Sequence, residues 1–211
     1  MVGQGVRIGR FFLPLWMGVE LVAVVAGVFL GKVVSDAIGM TGPNAVPLSP
    51  DTPYLLYAVR HTAVRHTLPG LAVGIAQWLF LRPYIPQAHW WAISTIVGWT
   101  VGGLVPHKES RLGEGALIPG ITWTYTVAFV AWSMVGAVTG LVEGIWQGQF
   151  LGRRFRLGGQ WTPICTVAMT LGFGLAYPLE RAAGLPVAIV SNHVLIGGIT
   201  GLAMWRILQG R

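Results

Sequence analysis

Six mostly apolar stretches alternate with short polar segments along the chain. An α-helix of about 20 apolar residues is long enough to cross the hydrocarbon core of a bilayer. On this pattern we place helices at residues 11–33, 54–82, 88–105, 120–151, 160–180 and 186–208. The pattern predicts an all-α fold: a polytopic transmembrane helical bundle of about six spans, forming a single integral membrane domain over residues 1–211.

The composition supports a membrane protein. The 211-residue chain is 54% apolar and only 10% charged, too few charges to cover a water-soluble surface. Its 30 glycines and 10 tryptophans are typical of helices that pack in lipid, with aromatic rings at the two interfaces. The single Cys165 excludes an internal disulfide. The first apolar run carries Glu20 and has no clear cleavage site, so we interpret it as an uncleaved helix.

The basic residues favour one orientation in the membrane. The net charge of +7 is distributed between the apolar runs and not on one soluble face, which argues against nucleic acid as a partner. With the N-terminus inside, the inner segments hold eight basic residues and no acid, and RRFR at 153–156 contributes most of this bias. The outer segments hold six basic residues together with all the acids outside the membrane. The positive-inside rule therefore predicts a bacterial cytoplasmic (inner) membrane protein with both termini in the cytoplasm.

A stretch of 33 residues recurs 70 positions later. Residues 70–102 and 140–172 are identical at eleven positions without a gap. In the first copy these are Gly70, Leu71, Gly74, Ile75, Gln77, Phe80, Leu81, Trp91, Val97, Thr100 and Gly102. Such self-similarity predicts an internal repeat with copies at about 54–105 and 120–180. Each copy contains two spans, so the copies are parallel, whereas the inverted repeats of many transporters require an odd number of spans between copies.

A weaker third copy falls within residues 186–208. Its matches are Gly197, Gly201 and Trp205, which correspond to Gly70, Gly74 and Trp78. Comparison of the copies also places the start of the second helix near Pro53 or Tyr54, with an expected kink at Pro69.

Eight glycines form four Gly-x-x-x-Gly pairs, a pattern that lets membrane helices approach closely. They are Gly70 and Gly74, Gly98 and Gly102, Gly140 and Gly144, and Gly197 and Gly201. Gln77 and Gln147 follow Gly74 and Gly144 by three residues, on nearly the same helix face. We predict that the glycines pack helices and that the two amides form hydrogen bonds between helices. The alternative role for the glutamines is contact with a polar ligand or with the magnesium of a pigment.

Glu20 and Glu143 are the strongest functional candidates. Each lies about ten residues from an inner arginine, Arg10 or Arg153, which at 1.5 Å per residue is roughly 15 Å into the membrane. An ionised carboxylate at that depth is costly, so it has to be protonated, paired or hydrated. The first repeat has Val73 where the second has Glu143, so packing of the repeat does not require the acid. The functional interpretation is a proton or cation relay; the other interpretation is a protonated or hydrogen-bonded carboxyl group that braces the bundle.

Other polar and aromatic residues give weaker indications. His193 lies four residues before Gly197 and is placed to ligate haem or chlorophyll, or to form ordinary hydrogen bonds. His61 and His66 are five residues apart, do not share a helix face, and predict no metal site. We assign most tryptophans to the interfacial belts, namely Trp90, Trp91, Trp99, Trp123, Trp146 and Trp205. The sequence contains no motif of a soluble enzyme, so we assign no catalytic residue.

The phrase Gly-x-x-Gln-Trp-Leu-x-Leu-Arg at residues 74–82 resembles a loose group of uncharacterised bacterial multi-pass membrane proteins. In that group G-x-x-Q-W-L-x-L-R recurs in successive helical hairpins. The second copy departs from the phrase, because Gly148 and Gln149 replace the Trp-Leu pair and the arginine moves to Arg153. The resemblance implies a helical bundle and carries no activity or catalytic residue.

Three functional hypotheses follow from the sequence. The first is a non-enzymatic accessory or scaffold subunit that packs in the bilayer beside other membrane subunits or a second copy of itself. The second is a small proton- or cation-coupled transporter or channel that uses Glu20 and Glu143. The third is an electron-transfer or pigment subunit that binds haem or chlorophyll at His193.

Overall fold

The computed structural model describes residues 9–38, 63–105 and 125–210. Six helices account for most of these residues, and no strand occurs among them. The helices are α1 (Phe12–Ala37), α2 (Leu68–Leu81), α3 (His89–Gly103), α4 (Tyr125–Gly152), α5 (Trp161–Ala183) and α6 (Leu185–Gln209). The predicted all-α bundle of six helices is therefore confirmed, while the predicted helical residues 54–62 and 120–124 lie outside the described residues.

Four of the helices are long and apolar enough to cross a bilayer, within the described parts of the chain. These segments are Phe12–Ala37, Ala128–Gly152, Gly158–Glu180 and Leu185–Gln209. Their outer faces carry large exposed apolar side chains, such as Val22 and Phe29, which are 70% and 68% exposed. Such helices indicate a membrane protein whose outer surface is suited to lipid.

A π-helical turn, Ala63–Thr67, leads directly into α2. Pro69 occupies the beginning of α2 and has no backbone N–H to donate to the preceding turn. The wider π turn accommodates the missing hydrogen bond. It stands next to the position at which the sequence predicted a kink.

The six helices form a closed ring in chain order. Each helix packs against the next one along the chain, and α1 also packs against α6, which closes the ring. Short connections at 82–88 and 153–160 make α2–α3 and α4–α5 antiparallel hairpins. The inside of the ring is filled by buried side chains, among them Trp16, Val73, Trp161 and Met204.

Close helix contacts occur at seven of the eight glycines singled out in the sequence. A methyl group at Gly74 would lie 2.8 Å from the carbonyl oxygen of Ala92, and one at Gly144 would lie 2.9 Å from the Cα of Thr162. The other tight contacts are Gly70 with Trp99, Gly98 with Glu143, Gly102 with Thr139, Gly140 with Cys165 and Thr166, and Gly201 with Trp16. Gly197 is looser, because a methyl group there would be 3.5 Å from the Cα of Met17.

One end of the ring is rich in arginine. It contains the start of α1, the end of α6 and the two hairpin connections. The arginines at this end, called here the arginine-rich end, are Arg10, Arg82, Arg153, Arg154, Arg156 and Arg206. Of the acidic side chains that the structure describes, none lies at this end; Asp36 and Glu180 lie at the opposite end, and Glu20 and Glu143 lie inside the ring.

Candidate functional site

Five buried polar side chains meet inside the ring, and we call them the central polar cluster. They are Glu20 on α1, Gln77 on α2, Thr95 on α3, and Glu143 and Gln147 on α4. Each is at most 5% exposed. Four different helices thus contribute polar groups to one place in the interior of the ring.

Hydrogen bonds connect four members of the cluster in a chain. The Gln77 Nε2 donates to Glu20 Oε1 at 2.5 Å, and the Thr95 hydroxyl donates to Gln77 Oε1 at 3.0 Å. Gln147 Nε2 donates in turn to the Thr95 hydroxyl oxygen at 3.1 Å. The predicted hydrogen bonds of the two glutamines between helices are thus present in the structure, and they join α1, α2, α3 and α4.

Two tryptophans hold the glutamine amides in place. The Trp91 indole N–H donates to Gln77 Oε1 at 3.0 Å, and the Trp161 indole N–H donates to Gln147 Oε1 at 2.7 Å. In each case the tryptophan follows the glutamine by 14 residues, across the hairpin connection. Because each amide oxygen accepts from an indole on the neighbouring helix, each amide nitrogen is oriented toward the interior of the cluster.

Glu143 has one carboxyl oxygen without a hydrogen-bond partner in the described parts of the chain. It is 1% exposed, its Oε1 has no hydrogen-bond partner among the described residues, and its Oε2 lies 4.0 Å from the Cys165 thiol. The side chain fits because Gly98 on the facing helix has no side chain; a methyl group there would be 2.7 Å from Glu143 Cγ. Glu143 lies one helical turn from Gln147, which Thr95 and Gln77 connect to Glu20 by hydrogen bonds.

Neither carboxyl group has a basic partner among the residues that the structure describes. Lys32 and Asp36 form an ion pair, but they lie at one end of α1 and not beside Glu20 or Glu143. An unpaired carboxylate in a low-dielectric interior costs several kcal/mol, so each group requires a proton or a bound cation. Chemically, the cluster offers carboxyl oxygens, which suit a proton or a hard cation. No group of three or more His, Cys, Asp or Glu side chains forms a metal site within the described residues.

A related contact joins the first and last helices. The Trp16 indole N–H on α1 donates to the Thr200 hydroxyl on α6 at 3.2 Å, and Thr200 donates to the Ile196 carbonyl. Thr200 follows Gly197 by three residues, as Gln77 follows Gly74. An indole therefore also bonds to a polar side chain at the contact that closes the ring.

His193 belongs to an aromatic group and not to the hydrogen-bonded chain. It is 4% exposed and stacks on Trp99, with ring centroids 6.0 Å apart. Phe173 contacts Trp99 edge-on at 5.5 Å. One face of the imidazole is thus covered by an indole, and ligation of haem or chlorophyll by His193 stays a prediction.

Two of the tryptophan assignments made from the sequence are wrong. Trp91 and Trp99 are 2% and 5% exposed, so they lie in the interior and not in an interfacial belt. Trp90 and Trp146 are about half exposed, as a belt requires, and Trp123 lies outside the described residues. The sequence did carry a signal for Trp91, because Gln77 and Trp91 both recur 70 residues later, as Gln147 and Trp161, at an unchanged spacing.

A groove opens between α3 and α4 at the arginine-rich end. It encloses a cavity of about 290 Å³. The residues that line it are Gln87, Trp90, Trp91, Trp146, Gln147, Gln149, Phe150 and Arg153. Gln147 and Trp91 at its inner wall also belong to the hydrogen bonds described above, so the groove reaches the edge of the central polar cluster.

No protein-family profile matches the sequence, and neither curated proteins nor solved structures show significant similarity to it.

Proposed function

We propose that the protein binds and relays protons, or a small monovalent cation, through Glu20 and Glu143 as a small transporter or channel. The observation that carries the proposal is that two buried carboxyl groups without a described basic partner share one polar cluster in the interior of the bundle. Ionisable residues in such positions are rare and commonly mark ion or proton paths.

The hydrogen-bonded chain supports a relay. Gln77 and Thr95 connect the Glu20 carboxyl group to Gln147 on α4, one helical turn from Glu143. The Gln77 amide donates to Glu20 and stabilises its ionised form, while the carboxyl groups themselves carry the proton, because an amide does not release one. The free Oε1 of Glu143 leaves that group able to accept a further donor or a cation.

The repeat supports a functional role for Glu143 in particular. Val73 occupies the corresponding position in the first copy and is buried to the same extent, 1% exposed. A buried valine therefore satisfies the packing at that position. The acid in the second copy adds a titratable group that packing does not need, at an energetic cost.

A flux assay in liposomes tests the proposal. Purified protein is reconstituted with a pH-sensitive dye inside, and a potential is imposed with potassium and valinomycin. We expect proton-dependent dye signals from the wild type that Glu143→Gln reduces at least tenfold, since an amide cannot release a proton. The control is Glu180→Gln, which changes an exposed acid at the opposite end of the ring and should leave the flux unchanged.

Adding a sodium gradient while potassium and valinomycin are kept unchanged distinguishes protons from a cation, because a proton flux does not depend on sodium, whereas a sodium-coupled flux follows the sodium gradient. Equal flux in the wild type and Glu143→Gln, or no flux in either under any ion gradient, would contradict the proposal. Retention of flux in Glu180→Gln together with its loss in Glu143→Gln would support it.

The second candidate is an accessory subunit that packs beside other membrane proteins. The apolar outer face of the ring supports it, since exposed side chains such as Leu15, Met134 and Val167 would suit a helical neighbour as well as lipid. Gentle solubilisation from native membranes tests this role. Co-purification of a stoichiometric membrane partner would favour it, and a monodisperse 22.7 kDa protein without a partner would count against it.

We also infer that the ring consists of three related two-helix units. The corresponding bonds Gln77–Trp91 and Gln147–Trp161 support an internal duplication of α2–α3 and α4–α5. The bond between Trp16 and Thr200 supports a third unit formed by α6 with α1. In this third unit Gly197 corresponds to Gly74. The sequence comparison instead aligned Gly197 with Gly70, which is one helical turn earlier.

The orientation in the membrane remains part of the proposal. The six described arginines at one end of the ring support a cytoplasmic location for that end, and with it for both chain termini, in a bacterial inner membrane.

A further inference from the structure

The groove between α3 and α4 has a counterpart that the protein fills with its own side chains. Phe80 on α2 and Phe150 on α4 correspond in the repeat. Phe80 packs in an aromatic group with Phe12 and Trp16 of α1 and with Tyr84, at centroid distances of 5.2 to 6.1 Å. Phe150 instead borders the open cavity. The same position in the two copies is thus closed in one and open in the other.

The walls of the open groove are amphipathic. Trp90 and Trp146 are 50% and 48% exposed and form an aromatic pair of walls. Ile93, one turn along α3 from Trp90, is also exposed and extends the apolar surface away from the arginine-rich end. The mouth of the groove carries the amides of Gln87 and Gln149 and the guanidinium of Arg153. A ligand that fits has a polar head at this mouth and an apolar chain along the helices.

The charge at the mouth selects an anion. Arg153 lines the groove, no acidic side chain does, and the described side chains of this end of the ring include six arginines and no acid. Guanidinium groups bind phosphate through paired hydrogen bonds. At Gln87 the backbone has a left-handed φ of 63°, the sole such conformation for a non-glycine residue in the described parts of the chain. Such a conformation is strained for a residue with a side chain, and strain of this kind is concentrated at binding sites.

We propose that this groove is a specific site for one anionic phospholipid, with its phosphate on Arg153 and an acyl chain between Trp90 and Trp146. Arg154 lies over the Phe150 ring at the position where the first copy has Tyr84, and the lipid occupies the cavity on the groove side of Phe150. This inference does not rest on the proton relay, because the bound lipid is a structural ligand of the ring.

Native mass spectrometry of the full chain in mild detergent tests the site. Phosphatidylglycerol is titrated against the wild type, Arg153→Gln and Arg82→Gln, which removes an exposed arginine at the same end but outside the groove. Because one arginine contributes about fivefold to the affinity for an anionic lipid, we expect Arg153→Gln to weaken binding about fivefold. Arg82→Gln should change it less than twofold, and Arg153→Lys should retain only part of it, because lysine keeps the charge but not the paired hydrogen bonds.

The remaining outcomes overturn the proposal. Equal weakening by Arg82→Gln and Arg153→Gln would mean diffuse attraction to a basic surface. Displacement of the lipid by the same concentration of glycerol 3-phosphate would mean a site for a soluble phosphate. Phosphatidylcholine binding as tightly as phosphatidylglycerol, unaffected by Arg153→Gln, would mean no anionic site in the groove.

Discussion

The hairpins α2–α3 and α4–α5 share a framework and differ in what it holds. In both, a glutamine accepts from an indole 14 residues later, and a glycine one turn before the glutamine packs on the facing helix. In the first hairpin that contact is Gly74 on Ala92, and in the second it is Gly144 on Thr162. Both residues of the second contact lie 70 positions after those of the first. The shared residues thus fix the distance between the two helices.

The correspondence extends to the backbone of the connections. The Leu81 carbonyl accepts from the N–H groups of Tyr84 and Ile85, and the Leu151 carbonyl accepts from those of Arg154 and Phe155. None of the residues that donate is identical between the two copies. The backbone pattern is therefore kept while the side chains change, as expected for a turn determined by its length and by the buried leucine.

The differences are concentrated in three places. Glu143 replaces Val73 inside the ring, Cys165 replaces Thr95 beside it, and the aromatic packing around Phe80 is absent around Phe150. The first difference adds a carboxyl group where the first hairpin is apolar, and the third leaves a cavity where the first hairpin is filled by aromatic rings. The residues that pack the two helices of each hairpin are thus distinct from the residues that add a titratable group or a cavity, and substitutions can test the two sets separately.

The largest change in the free energy of unfolding is expected for substitutions of the two glutamines. Gln77 makes three side-chain hydrogen bonds and Gln147 makes two. Gln77→Leu removes a hydrogen-bond partner from three buried groups and should lower the free energy of unfolding by about 3 kcal/mol. Gln147→Leu removes a partner from two groups and should lower it by about 2 kcal/mol. Titration with sodium dodecyl sulfate in mild-detergent micelles measures both.

The exposed Gln149 supplies the control for this pair, and Gln149→Leu should change the free energy of unfolding by less than about 0.5 kcal/mol. A larger loss for Gln147→Leu than for Gln77→Leu would show that the number of hydrogen bonds does not set the order of the two hairpins.

Much of the fold could be predicted from the sequence, and the reasons differ by feature. Apolar runs locate helices well, so α6 was expected at 186–208 and occupies Leu185–Gln209. Contacts between distant helices have no such signal. The bond between Glu20 and Gln77 joins residues 57 apart, and the packing of α1 on α6 depends on ring closure, which no local period encodes.

The site was predictable in part. Glu20, Glu143 and the two glutamines were identified because polar groups are costly in lipid and therefore informative. Thr95 was missed, because a lone threonine in an apolar helix can satisfy its hydroxyl group by bonding to its own backbone. Trp91 was assigned to the interface by composition, although its repeated spacing from Gln77 indicated a buried indole with an acceptor.

Substitution of Gly74 or Gly144 should have an intermediate effect on the free energy of unfolding, and the effect should be equal in the two hairpins. A methyl group at Gly74 or Gly144 would meet backbone atoms of the facing helix at 2.8 to 2.9 Å, and backbone cannot move aside as a flexible side chain can. We expect Gly74→Ala and Gly144→Ala each to lower the free energy of unfolding by about 2 kcal/mol. Gly197→Ala is the matched control, since its nearest neighbour would be 3.5 Å away, and it should be tolerated. Unequal losses at Gly74 and Gly144 would break the structural equivalence of the hairpins.

The smallest effect on stability is expected where the copies differ most in chemistry. Glu143→Val places in the second hairpin the residue that the first carries at Val73, which is buried and apolar. Removing a carboxyl group whose Oε1 has no described hydrogen-bond partner should change the free energy of unfolding by less than about 1 kcal/mol, or raise it. The same variant should lose the ion flux of the wild type. A stable and inactive Glu143→Val would place the function in the departure from the repeat. A decrease of several kcal/mol in the free energy of unfolding would instead give Glu143 a structural role, because the second hairpin would then need an acid at a position where the first hairpin has a valine.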